Sequence, residues 1–182
     1  FGVESKDHPL MEFQPAQRAY QSTALLGFRT FLRVVRGGRT GTYEPFSPWQ
    51  TGGPVRKMLI GLNELEIEES HAELGLRVNV LYFVLPGEPF GGLVRQVSLK
   101  NTGTAPLTVE ALDGLPALIP YGITNGELKE IGRTIEAWME VLHHRECLPF
   151  YRLKASSEDS LQVKTIEAGN YALAFQDGEL LP

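Results

Sequence analysis

The sequence predicts a mainly β fold, an antiparallel β-sandwich with one amphipathic helix near residues 125–142. Three observations lead there. Along residues 93–112, LVRQVSLKNTGTAPLTVEAL, Val94, Gln96 and Ser98 alternate with Arg95, Val97 and Leu99; Asn101, Thr102 and Gly103 break the pattern, and Leu107, Val109 and Ala111 resume it. That is the signature of a hairpin: strand, tight turn, strand. Residues 24–36 alternate in the same way, with Phe28, Thr30, Leu32 and Val34 set against Arg29, Phe31, Arg33 and Val35, and Gly37-Gly38 supplies a two-residue return. Residues 74–85, LGLRVNVLYFVL, are rich in β-branched and aromatic side chains and nearly continuous in apolar character, which predicts a central strand covered on both faces.

The remaining elements follow in chain order. Residues 1–23, with Pro9 and Pro15, read as an extended leading segment containing one helical turn around residues 15–20, and residues 24–182 as one sandwich domain. Pro45 and Pro48 make residues 42–49 an edge strand or loop, and TGGP at 51–54 is a further break. Short strands are expected at 57–60 and 64–69; in the second, Leu65 and Ile67 alternate with Glu64, Glu66 and Glu68, so one face is wet. PGEPFGG at 86–92 is a turn. Behind a cap at Asn125, residues Leu128, Ile131, Ile135, Trp138, Met139 and Leu142 recur at helical spacing, predicting about four turns of helix, weakened by Gly132, with Trp138 and Met139 on the docking face. After Pro149, strands are expected at 150–155, 161–167 and 171–176, joined through SSEDS at 156–160 and a turn at 168–170.

Composition narrows the function classes. A chain of 182 residues and 20.2 kDa can bury a core of its own. Its 17 basic and 22 acidic residues leave a net charge of −5, without the clustered Lys and Arg that phosphate neutralisation demands, so no nucleic-acid partner is expected. No apolar run reaches the roughly 20 residues that span a bilayer, and no membrane association is expected. The single cysteine, Cys147, cannot close an internal disulfide, which favours a cytoplasmic location. The opening Phe1 and the uncapped GELLP ending read as cuts within a longer polypeptide.

Few residues carry chemistry. Glu64, Glu66, Glu68 and Glu69 form the densest carboxylate cluster, and paired carboxylates are what glycosidic hydrolysis needs; their alternation along one strand reads instead as a solvated face. In the group His143, His144 and Cys147, His143 and Cys147 sit four apart and would share a helix face if the helix ran that far, but a third and a fourth ligand are missing, so neither a metal site nor a cofactor is expected, and no residue is assigned a catalytic role. The aromatics offer more. Tyr82 reads as packing, whereas Tyr43, Phe46 and Trp49 fall in a Pro/Gly-rich segment where ring faces could meet a sugar or a neighbouring domain. These three are the candidate carbohydrate or interdomain contact.

The segments FRTFLRVVRGG, LNELEIEES, LRVNVLYFVLPGEPFGGLVRQVSLKNTGTAPLTVEAL and LPALIPYG, taken in order over residues 24–121, resemble the N-terminal β-supersandwich of large glycoside phosphorylases of the cellobiose phosphorylase (glycosyltransferase 36-like) type. The resemblance implies a supersandwich-like fold in a multidomain carbohydrate-active parent, with a helical linker and an (α/α)6 barrel beyond it. In that family the barrel is catalytic: an acid protonates the glycosidic oxygen and phosphate attacks the anomeric carbon. None of those residues maps onto this chain, so the resemblance implies a noncatalytic role. It also implies as partners a carbohydrate, the missing C-terminal catalytic domain and a second copy in a homodimer. SLKNTGTAPLTVEAL equally suits a stand-alone immunoglobulin-like interaction or adhesion module, which is the alternative reading.

Overall fold

The computed structural model describes residues 27–50, 52–116, 118, 119, 121–131, 134, 137–156 and 161–181. The leading segment 1–23 lies outside them. The described residues divide into two compact units, one up to Pro116 and one after it.

The first unit holds seven strands: β1 (Arg29–Arg36), β2 (Arg39–Tyr43), β3 (Val55–Ile60), β4 (Glu64–His71), β5 (Leu76–Val84), β6 (Leu93–Asn101) and β7 (Thr108–Gly114). They form two open antiparallel sheets, ordered β2-β1-β7 and β3-β4-β5-β6, as expected of a sandwich. Gly37 and Gly38 both take positive φ, 55° and 77°, so the β1–β2 hairpin closes on the two-residue turn the sequence predicts. Alternation then sorts β1: Thr30, Leu32 and Val34 are buried between the sheets, while Phe31 and Arg33 stay outside. Leu32, Val34, Tyr43, Leu76, Val78 and Val80 form the buried core, with Ile67, Leu74, Tyr82, Val97, Leu107 and Val109 packed around it.

Two expectations for this unit need correction. Strands β6 and β7 do not form a hairpin: β6 pairs with β5 and β7 with β1, so the chain crosses from one sheet to the other. An Asx turn makes the corner, Asn101 accepting from the Gly103 N–H at 3.0 Å and donating to the Ala105 carbonyl at 2.8 Å. Gly75 lies against this corner with φ +59°, and a Cβ there would lie 3.1 Å from the Gly103 nitrogen, so any side chain at this position would be strained. Strand β5 is central but covered on one face alone, Leu76, Val78 and Val80 being buried and Arg77, Asn79 and Leu81 only half-buried.

In the second unit a helix, α1 (Asn125–Glu130), precedes β8 (Met139–Leu142), a 3-10 turn (His144–Glu146), β9 (Phe150–Leu153), β10 (Asn170–Tyr171) and a small hairpin of β11 (Phe175–Gln176) and β12 (Glu179–Leu180). The sheet order is β10-β9-β8, and Ile119, Ile123 and Leu153 form the core with Ile166 beside them. No long helix is present among the described residues. The expected helix over 125–142 is cut to six residues, and its last part is strand. Met139, Val141 and Leu142 suit either period, and pairing with β9 decides between them, reinforced by the cross-strand Glu140–Arg152 ion pair at 3.2 Å. Gly132 and Ile135 of the expected helix lie outside the described residues. Trp138 is 55% exposed and does not dock a helix on a sheet. The cap is Thr124 and not Asn125: the Thr124 hydroxyl accepts from the Glu127 N–H while Glu127 takes the Thr124 N–H at 2.7 Å, a reciprocal capping box. Residues 161–167 make one bridge, Ala155 to Thr165, instead of a strand, and Leu161 and Val163 are exposed. No helix among the described residues is long and apolar enough to cross a membrane.

Candidate functional site

Glu69 is completely buried, and its position follows from the parity of β4: Leu65, Ile67 and Glu69 share one face, while Glu64, Glu66 and Glu68 share the other. A carboxylate this deep must be hydrogen-bonded and paired. Tyr43 of β2 donates its hydroxyl to Oε1; the Phe46 N–H donates to Oε2 at 3.0 Å; and Arg56 of β3 donates Nε to the same oxygen. Arg56 also reaches the Ser47 carbonyl at 2.8 Å. One carboxylate thus joins both sheets to the Glu44–Gln50 loop.

The loop is shaped accordingly. Phe46 sits at φ 61°, a left-handed conformation that costs a residue with a Cβ about 1–2 kcal/mol, and holding it aims its N–H at Glu69. Pro45 and Ser47 are buried, and Gln50 N–H bonds back to Ser47 at 3.3 Å. Trp49 stands out from this fixed base at 79% exposure. Ordering a loop costs conformational entropy, and here that cost is met on folding rather than on contact with a partner.

Beside the loop, on the outer face of the β2-β1-β7 sheet, lies a hollow of about 610 Å3. Its floor is the backbone row Tyr43, Leu32 and Ala111, which are opposite one another in register. Thr42, Arg33 and Glu110 make one wall; Glu44, Phe31 and Leu112 make the other; Ser47 and Gln50 close an end. Arg33 Nη1 contacts both oxygens of Glu110 at 2.9 and 3.1 Å, and Arg29 pairs with Glu44 at 2.6 Å.

A second ionic group crosses the sandwich. The Arg95 side chain of β6, only 7% exposed, pairs with Asp113 of β7, donates to the Thr30 hydroxyl of β1 at 2.9 Å and to the Tyr82 hydroxyl at 3.0 Å, and packs against the Phe28 ring. Thr30 in turn donates to Asp113.

Burial first, and the adjoining Glu69 carboxylate second, hold the Tyr43 hydroxyl well above the usual tyrosine pKa of about 10. The folded state therefore keeps a proton that the unfolded chain gives up. Stability from this group is complete below the unfolded pKa and is lost as pH climbs past it toward the folded value. Melting temperature followed from about pH 8 to about pH 11 should fall more steeply for the native chain than for Tyr43→Phe. Parallel curves would show that Tyr43 titrates alike in both states.

The predicted contact residues separate. Tyr43 is 5% exposed and belongs to the core, Phe46 is half-buried against it, and Trp49 alone of the three is open to solvent. In the glutamate row, Glu66 is held by Asn79, and Glu68 lies 3.7 Å from both Lys57 and Arg77, the surface arrangement the alternation suggests. Glu69 departs from that row, and Leu65 and Ile67 already carried the signal. His143 and Cys147 share no helix face: they flank the 3-10 turn, both at positive φ, and no group of three or more metal-ligating side chains occurs among the described residues. No protein-family model matches the chain, and no curated protein matches it.

Proposed function

We propose that this chain is a noncatalytic β-sandwich module of a large cytoplasmic carbohydrate-active enzyme of the glycoside phosphorylase kind, contacting sugar or a neighbouring domain through the Trp49 loop. One observation carries this reading: a tryptophan 79% exposed on a loop that a buried carboxylate locks in place. An exposed aromatic ring held on an ordered loop is suited to stacking against a sugar ring or a neighbouring domain. The carboxylates support a noncatalytic role, since Glu66 and Glu68 are engaged with neighbours on the outer sheet face and Glu69 is sealed inside. The segments resembling the glycoside phosphorylase supersandwich supply the enzyme class.

The test is the mass of the native protein in its source cells, read with an antibody against this unit. A band far above 20.2 kDa supports the module, and a band at 20.2 kDa overturns it. Trp49→Ala should leave stability within about 0.5 kcal/mol of the parent, because the ring packs on little, while removing the fluorescence response to mono- and disaccharides or to the neighbouring domain. A large loss of stability instead would make Trp49 a packing residue.

A second reading, a stand-alone interaction module, draws on β3. All six of its residues are exposed, Val55, Met58, Leu59 and Ile60 among them, and no strand pairs with its outer edge among the described residues. Such an edge accepts an added strand. The 20.2 kDa band would favour this reading.

A further inference from the structure

We infer that the free edge of β3 is a contact between two copies of this chain, at which the second copy adds its own β3 in antiparallel register about a two-fold axis at Met58. The inference rests on β3 alone and serves a module of a larger enzyme and a stand-alone chain alike, so the mass of the denatured polypeptide does not decide it.

The backbone shows which groups are free. In the β3–β4 hairpin the Gly61 N–H donates to the Glu64 carbonyl at 2.9 Å. An antiparallel ladder alternates, so Leu59 and Lys57 also direct their N–H and C=O groups toward β4, while those of Arg56, Met58 and Ile60 point away from it, along the edge. β3 is the outermost strand of its sheet, and all six of its residues are exposed. Edges that stay single usually carry a proline, a bulge or an outward lysine. This one contains no proline, its six pairs with β4 run unbroken, and its two basic residues stand opposite the β4 carboxylates Glu69 and Glu68 and pair with them.

The side chains identify the occupant. Residues directly opposite each other in a sheet share a face. Arg56, Met58 and Ile60 therefore lie on the face of Glu69, Ile67 and Leu65, and Lys57 and Leu59 on that of Glu68 and Glu66. A second β3 centred on Met58 sets Met58 against Met58, Arg56 against Ile60 and Lys57 against Leu59, each pair on a common face. Apolar side chains then meet across the axis, where Ile67 and Met58 of one copy continue into Met58 and Ile67 of the other. On the opposite face each Lys57 lies between its own Glu68 and, beyond Leu59, Glu66 of the second copy. No two like charges stand directly opposite. Other registers are poorer: centring on Lys57 sets two ammonium groups against each other, and centring on Leu59 leaves Arg56 facing Leu62, beyond the end of the strand. The Met58 register also lets Arg56, Met58 and Ile60 all exchange their free N–H and C=O groups. Two six-residue edges make a contact at the small end of specific interfaces, so a dissociation constant on the order of 100 μM is expected.

The experiment is sedimentation equilibrium of the whole chain from about 5 μM to about 1 mM, paired with amide hydrogen exchange over the same range. The average mass should rise from 20.2 kDa toward twice that value. Protection should rise with it at Arg56, Met58 and Ile60, while Lys57 and Leu59, already bonded within the sheet, stay constant. Met58 is 66% exposed, so Met58→Lys and Met58→Glu should each fold as the native chain does yet weaken dimerisation by about tenfold or more, because each sets like charges together at the axis. Mixed in equal amounts, the two variants should dimerise again. Val163→Lys, at an exposed apolar residue of the second unit, should dimerise as the native chain does. A mass fixed at 20.2 kDa across the whole range would overturn the contact. Dimers that survive both Met58 substitutions, or protection gained outside β3 alone, would put the contact elsewhere and overturn it as well. A mixture that stays monomeric would overturn the two-fold register at Met58. The exchange pattern is read on the native chain, so it decides the matter even if a variant misfolds.

Discussion

Replacing Glu69 with alanine is expected to be the most damaging single change to the first unit, lowering stability by on the order of 3 kcal/mol. The carboxylate is wholly buried, and its loss strands three donors at once: the Tyr43 hydroxyl, the Phe46 N–H and the Arg56 guanidinium. Removing one member of a buried ion pair typically costs about 3–5 kcal/mol, and the 38% exposure of the Arg56 side chain, which lets water recover part of its solvation, moves the expectation to the lower end. The change should reach the Glu44–Gln50 loop as well. With no acceptor for its N–H, Phe46 has no reason to hold φ 61°, so the loop should relax and Trp49 should lose whatever fixed orientation it has. Urea unfolding and tryptophan anisotropy measure the two effects separately. Glu69→Gln keeps two hydrogen-bonding positions and should cost less than alanine while still unpairing Arg56. Unchanged urea midpoints for both variants would mean that water or another group replaces the carboxylate, and the account of the loop would fall with them.

Arg95→Met is expected to be the second largest, on the order of 2–3 kcal/mol. Methionine keeps much of the apolar stem that packs near Phe28 and Tyr82 but leaves Asp113 unpaired where the side chain is 34% exposed, and leaves Thr30 and Tyr82 without a donor. Because Arg95 ties β6 to both β1 and β7, the cost falls on the contact between sheets. Lysine should rescue little of it: a single ammonium cannot reach Asp113, Thr30 and the Tyr82 hydroxyl together as the planar guanidinium does. A double-mutant cycle with Asp113→Ala isolates the pair, and a coupling close to zero would show that Arg95 acts by packing alone.

Much of the first unit is legible without coordinates. Alternation in residues 24–36, the Gly37-Gly38 return and the apolar run over 74–85 are local patterns, and they mark β1, its turn and β5 because side-chain parity in a strand depends only on position along it. Parity even contains the inward aim of Glu69, since Leu65 and Ile67 set the face and Glu69 continues it. Its meaning was invisible because Tyr43 and Arg56 are 26 and 13 residues away. Of the aromatic trio, Trp49 was recognisable as exposed from its proline-rich loop, whereas Tyr43 closes β2 against the core, and nothing within the loop discloses a partner on β4.

Local pattern along the chain is enough to specify the antiparallel β class, the facing of most strand residues and the positions of the tight turns. All of these follow from backbone preference and a two-residue period. The tertiary structure decided which strands are neighbours, and so turned an apparent hairpin at residues 93–112 into a corner between sheets. It also decided that residues 139–142 are strand, because a short apolar run satisfies both helical and extended periods until a partner such as β9 offers its backbone groups. Above all, it decided which charges are structural. Glu69 and Arg95 resemble ordinary surface residues in the chain, and only the assembly of two sheets encloses them, where a charge remains buried only with its partners in place.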